Sequence, residues 1–190
     1  MTEAPSQNFV QLIMSTYLIN SEQRSQNMGT VQFFAPSQSY LQKVEDLFEE
    51  HRKKILYLVP TAKVEHIGAT SVPGLLTKGD LDLQVSVSLP EFDRAVGLLQ
   101  TEYSDRQLEN WTESFASFKV ERDSDIPVGV QLVIQGSESD IFVKSRELLL
   151  AQPEKVEELN QLKQCHANGD MDTYIKHKGE FFTALLENSG

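Results

Sequence analysis

The sequence predicts an α+β domain: a small mixed or antiparallel sheet flanked by helices, with a helical C-terminal part. Three observations predict it. Short stretches of strand period, at residues 64–67, 81–87, 114–120 and 128–134, hold the middle of the chain. Stretches of helical period, at 39–55 and from Pro90 onward, lie before and between them. From Ser137 onward only the helical period is left. At 190 residues the chain suits one domain that buries a core without staples.

Residues 1–30 are rich in Ser, Gln, Asn and Thr and read as a polar N-terminal extension. Within it, Phe9, Leu12, Ile13, Leu18 and Ile19 suit a short helix over 9–19, and 21–30 reads as a connector. Residues 31–190 read as the single domain. The apolar run 31–34 suits an edge strand or docking segment, ended by Pro36 and Ser37. Ser39, with Gln42 three residues on, fits a capping box. Tyr40, Leu41, Val44, Leu47, Phe48 and Ile55 then share one helical face. Pro60 closes the following turn, and Pro90 opens a helix with Phe92, Ala95, Val96, Leu98 and Leu99 on one side. Residues 102–111 form a polar connection. In it Trp111 reads as a partly buried rim residue, with stacking on a base as the alternative.

The turn-like stretch 121–127 joins two strands as a hairpin. On the second, Val128, Val130, Leu132 and Ile134 face one way, and Gly129, Gln131 and Val133 the other. A helix over 139–150 carries Ile141, Phe142, Leu148 and Leu149, and Pro153 interrupts it. Val156, Leu159 and Leu162 mark the next, over 153–167, capped by Asn168-Gly169. Asp170 or Asp172 starts the last, with Tyr174, Ile175, Phe181, Phe182, Leu185 and Leu186.

The net charge of −11 argues against a broad basic footprint for duplex nucleic acid, yet leaves room for a small nucleotide met by a few local lysines. The lone Cys165 makes an internal disulfide impossible and fits a reducing compartment. With no signal-like start and no apolar run near the length of a membrane span, a cytoplasmic protein is expected.

The chemistry concentrates in residues 64–87. A strand at 64–67 leads into a loop, 68–79, holding Gly68, Gly74 and Gly79. In Leu81–Val87 the alternation turns Leu81, Leu83, Val85 and Val87 inward, and places Asp80, Asp82, Gln84 and Ser86 on the other face. Carboxylates two apart on a strand sit roughly 7 Å apart and leave room for an oxygen-bound cation. Mg²⁺, or Mn²⁺ in its place, suits one or two carboxylates completed by phosphate oxygens. Gly68 lets the backbone approach a ligand, Thr70 and Ser71 offer hydroxyls, and Lys78 reaches as a point charge. The plainer alternative is a turn at Lys78-Gly79-Asp80 followed by a solvated Asp82.

The string HIGATSVPGLLTKGDLDL resembles the signature of the GrpB-like family, at His66, Gly68, Thr70, Ser71, Pro73, Gly74, Lys78 and Asp82. The pattern apolar-Gly-small-Thr-Ser, then Asp-apolar-Asp-apolar, is similar to the nucleotidyltransferase superfamily that includes DNA polymerase β. Later blocks at 145–149, 160–163 and 174–182 extend the likeness to roughly residues 33–186. The resemblance implies a nucleotidyltransferase-type fold, with Asp80 and Asp82 catalytic and metal-binding. It implies a nucleoside triphosphate and a small acceptor as partners. It adds Lys163 and Lys178 as triphosphate contacts, the alternative being solvated helix lysines.

Two departures stand out. Ala69 follows the first glycine where serine is usual. The strand Val128–Ile134 carries no third acid, and Gln131 occupies the expected slot. A silent nucleotide- or phosphate-binding module, or an interaction scaffold, are therefore the competing functions.

Overall fold

The computed structural model of the chain describes residues 32–120, 125–167, 169 and 171–188. The extension 1–30, with its helix and connector, and the roles given to Asn168 and Asp170, lie outside the described residues. Of the turn 121–127, only 125–127 are described.

Helix α1 (Gln38–Leu58) starts earlier than the capping box placed it. Its cap is Ser37, whose Oγ accepts the Tyr40 N–H at 3.2 Å. Ser39 lies 3.0 Å from the Ser37 hydroxyl, and Gln42 donates forward to Asp46. Both serines precede the same apolar face, so spacing alone did not separate them. Ahead of α1, the described part of the run 31–34 forms no strand. Phe34 makes an isolated antiparallel bridge to Thr77, through N–H to carbonyl bonds of 2.9 and 3.0 Å.

Five strands, β1 (Lys63–Ile67), β2 (Leu81–Val87), β3 (Ser104–Asp105), β4 (Phe115–Lys119) and β5 (Val128–Ile134), form one sheet in the order β1-β2-β5-β4-β3. The sheet is mixed: β2 and β5 run parallel, and every other pair is antiparallel. A parallel pair needs a long crossover. Here it is the chain through α2 (Phe92–Leu99), β3 and β4.

The period-two alternation splits the apolar residues between two helical layers. Leu81, Leu83, Val85, Val130 and Leu132 pack with Val44, Phe48 and Ile55 of α1, and with Phe92, Ala95 and Leu99 of α2. On the other face, Ile67, Phe115 and Val133 meet the helices α3 (Phe142–Ala151), α4 (Pro153–Cys165) and α5 (Met171–Glu187) through Phe142, Leu149, Leu159, Phe181 and Leu185. Pro153 opens α4 at its first turn, where its missing N–H costs nothing.

The connection 102–111 contains β3, too short to show a period. Trp111 is the rim residue expected: its ring meets Phe118 edge-on at 5.2 Å, and its N–H donates to the Arg106 carbonyl at 3.0 Å. Among the described residues no helix is long and apolar enough to cross a membrane.

The second face also holds a buried polar stripe. Gln84 donates to Ser86 at 2.8 Å and to Asp140 at 2.7 Å, and accepts the Val143 N–H, which ties β2 to the start of α3. Beside the stripe, α4 pins the loop that feeds β2. Asn160 donates to the Gly74 carbonyl at 2.9 Å and accepts the Leu76 N–H at 2.8 Å. Asn160→Ala strands both backbone groups and is expected to cost roughly 1–3 kcal/mol. The check is a lower urea midpoint at unchanged m-value.

Candidate functional site

Asp80 closes the loop and Asp82 is the second residue of β2, so both carboxylates lie against the helices of the second face. There they line a chamber of about 20 Å³ with Phe33, Ala69, Lys78, Lys163, Tyr174 and Lys178. That is room for one water-sized occupant. The Lys78 ammonium lies 3.3 Å from Asp80 Oδ2. Lys163 on α4 and Lys178 on α5 are 3% and 7% exposed, which rules out a solvated helix face for either. The Lys163 ammonium donates to the Leu76 carbonyl and lies 5.9 Å from the centre of the Phe33 ring. Phe33 in turn packs on Tyr174 at 5.2 Å, and both rings line the chamber.

Burial dominates the electrostatics. It raises the Asp82 carboxyl to about 6, with the negative charge of Asp80 adding to the rise and Arg106 opposing it. Burial pushes Asp80 the same way, but Lys78 and Lys178 outweigh it, and that carboxyl ends below its ordinary value. Burial also lowers Lys163 to about 7, and lowers Lys178 well below the usual lysine range with help from Lys163 and Lys78. The result is a pair of acids whose second member carries a raised pKa, faced by two lysines, Lys163 and Lys178, whose burial eases deprotonation.

Gly68 lies directly against Asp82. Its φ of 77° lies in the region that L side chains avoid, and a Cβ there would sit 2.6 Å from Asp82 Oδ2. The opposite flank of Asp82 corrects the expectation about the third acid. The parallel register puts Gly129, not Gln131, beside Asp82, and sets Gln131 against Gln84. A Cβ on Gly129 would come within 2.9 Å of Asp82 Oδ1 and 3.0 Å of Arg106 Nη1. No carboxylate side chain fits there, and a guanidinium holds the flank instead. Gln131 is 1% exposed, and neither amide atom has a partner among the described residues.

Asp80, Asp82, Lys78, Lys163 and Lys178 thus meet in one chamber, with Gly68 against Asp82. Thr70 and Ser71 do not join them. The Thr70 hydroxyl bonds His66 and the Asp80 carbonyl, the Ser71 hydroxyl donates to the Gly68 carbonyl, and both residues line the far side of the loop. A hydroxyl already used to shape its own loop is poorly placed to cradle a phosphate in the chamber. Sequence reasoning missed Phe33, Tyr174 and Arg106 at the site. Away from the site, the ring nitrogens of His166, at the end of α4, and His177, on α5, lie 2.9 Å apart.

Two hard oxygen donors whose mutual repulsion a cation would ease are a donor set that suits one Mg²⁺ or Mn²⁺, with phosphate and water needed to complete its ligands. Among the described residues no cluster of three or more His, Cys, Asp or Glu forms a fuller cage.

A mixed sheet between two helical layers, with paired acids at the head of a central strand, defines a nucleotidyltransferase-like α+β fold. Residues 38–188 match the family model described as GrpB protein. A UPF0157 protein of Vibrio cholerae is 32% identical over 159 residues, covering 84% of each chain. The crystal structure of conserved protein GrpB from Enterococcus faecalis superposes with a TM-score of 0.63 at 19% identity, covering 83% of this chain and 99% of that one. A structure of the GLD-2/RNP-8 complex does so at 0.50 and 12% identity, covering 77% of this chain and 57% of the other. The chain belongs to the GrpB family.

Proposed function

We propose that this GrpB-family chain is a metal-dependent nucleotidyltransferase acting on a nucleoside triphosphate and a small acceptor. The observation that carries the reading is the convergence of Asp80 and Asp82 with Lys78, Lys163 and Lys178 on one chamber. Asp80 and Asp82 would hold Mg²⁺ or Mn²⁺, which when bound neutralises charge on the phosphates and the leaving group. The three lysines would bind phosphate oxygens, and the rings of Phe33 and Tyr174 supply the aromatic part of the lining. In the transfer an acceptor oxygen bonds the α-phosphorus, the α–β anhydride bond breaks with its electrons on pyrophosphate, and the acceptor proton passes to solvent.

The environments of Asp82 and Lys163 set a pH window. Asp82 must be ionised to hold a cation, so affinity rises with pH through about 6. Lys163 must be charged to hold phosphate, so affinity falls above about 7. Calorimetric titration with a nonhydrolysable triphosphate and Mg²⁺ from pH 5 to 9 is expected to give a maximum between those values. Affinity still rising at pH 9 would remove Lys163 from the phosphate site.

A second reading, a module that holds a nucleotide without turnover, is favoured by Arg106 and Gly129 in place of a third acid. Mg²⁺-dependent pyrophosphate release over a nucleotide panel separates the two. Release supports transfer. Tight binding with no release over hours supports the holding module. No thermal shift with any nucleotide and either ion defeats both.

A further inference from the structure

The stretch from His66 to Gly74 borders a second concavity. On the side of the loop away from the chamber lies a groove of about 640 Å³, a size typical of small-molecule sites. It is bounded by Leu41 and Glu45 on α1, His66 on β1, Thr70 in the loop, and Arg146 and Leu150 on α3.

Hydrogen bonding fixes the protons at its floor. The single Thr70 hydroxyl proton is donated to the Asp80 carbonyl at 3.2 Å. Thr70 Oγ1 can therefore only accept from His66 Nε2, 3.0 Å away, which places the ring proton on Nε2. Burial, and then the Arg146 charge, lower the imidazole to about 4, so at neutral pH Nδ1 carries a bare lone pair. That lone pair faces Glu45 Oε2 at 3.5 Å. Two acceptors confront each other with no proton between them. Arg146 does not relieve them, because its guanidinium donates to the His66 carbonyl and to Glu65. Among the described residues Glu45 has no cationic partner other than this uncharged ring.

We propose that the groove binds a small organic amine, its ammonium N–H groups bridging His66 Nδ1 and Glu45 and its carbon skeleton lying on Leu41 and Leu150. A protonated amine supplies the two donors that the facing acceptors lack and the positive charge that Glu45 lacks. A neutral hydroxyl has one donor and no charge. The net charge of −11 favours the approach of a cation over an anion. Leu150, half exposed, gives the skeleton an apolar rest. The site goes beyond the nucleotidyl-transfer reading and stands without it, although Thr70 links the groove to the backbone of Asp80.

The test uses the full chain with no metal or nucleotide, and observes the His66 ring nitrogens by NMR, assigned with His66→Gln. Glucosamine and putrescine are the amine probes; glucose and N-acetylglucosamine are their neutral counterparts. At roughly 10 mM, which saturates a millimolar site, both amines are expected to shift His66 Nδ1 saturably while the neutral probes do not. Glu45→Gln, on an exposed helix face, is expected to keep the fold and weaken the amines about tenfold. Three results would overturn the proposal: no saturable shift with either amine, an equal shift with glucose, or undiminished amine affinity in Glu45→Gln. Nucleotide binding is measured apart from these titrations, so failure here leaves the acid chamber to its own test.

Discussion

Asp82→Asn is expected to abolish metal-dependent pyrophosphate release, with a loss of at least about a hundredfold, and also to raise the melting temperature at pH 8. The first effect follows from removing one of two anionic oxygen donors. The second follows from linkage. The folded-state pKa of Asp82 is raised to about 6, so between about pH 4 and 6 the folded protein binds more protons than the unfolded chain. Stability contributed by this group therefore falls as pH rises through that window, and the ionised carboxylate is most costly above it. Asparagine cannot ionise, and removing the charge is worth roughly 1–3 kcal/mol at pH 8, vanishing below about pH 4. Parallel melts at the two pH values check the sign. An Asn variant that melts below the parent at pH 8 would contradict the account of a strained acid pair, and parent-like release would take the acids out of the reaction.

Gly68→Ala is expected to act on both fold and site. The backbone at φ 77° strains any L residue, at roughly 1–3 kcal/mol. The new methyl also meets Asp82 Oδ2 at 2.6 Å, and neither backbone nor buried carboxylate yields freely. Asp82 is displaced, and triphosphate affinity in the presence of Mg²⁺ falls by about tenfold or more. Gly74→Ala is the matched control: its φ is 79°, but nothing lies within 4 Å of its Cβ position. The control is expected to lose similar stability and keep its affinity. Equal losses of affinity in the two variants would mean that loop strain, not contact with Asp82, is responsible.

Most of the architecture was legible because burial imposes a period. Alternation in Leu81–Val87 assigned Leu83 and Val85 to one face and Asp82 and Gln84 to the other, as observed. The surroundings of Lys163 and Lys178 were also written in the sequence, although a solvated alternative stood beside them. Lys178 lies four residues after Tyr174 and Lys163 four after Leu159, so each shares a face with a buried residue. Other features had no local signature. Which β5 residue stands beside Asp82 depends on the register of a parallel pair, and a slip of two positions, which keeps every side chain on its own face, looks the same in either strand alone. Arg106 reaches Asp82 from an aperiodic connection. His166 and His177 meet only because α4 and α5 pack together. Thr70 and Ser71 were read as free hydroxyls, since a sequence does not reveal which polar groups a loop spends on itself.

Three lysines already share the chamber with Asp80 and Asp82. A divalent ion arriving alone brings two more positive charges among them, and a phosphate arriving alone confronts two carboxylates. Each visitor is unwelcome singly and cancels the other's repulsion when both come. On the nucleotidyl-transfer reading the two would therefore bind cooperatively, and whatever factor the ion added to the grip on phosphate, phosphate would return to the ion in equal measure.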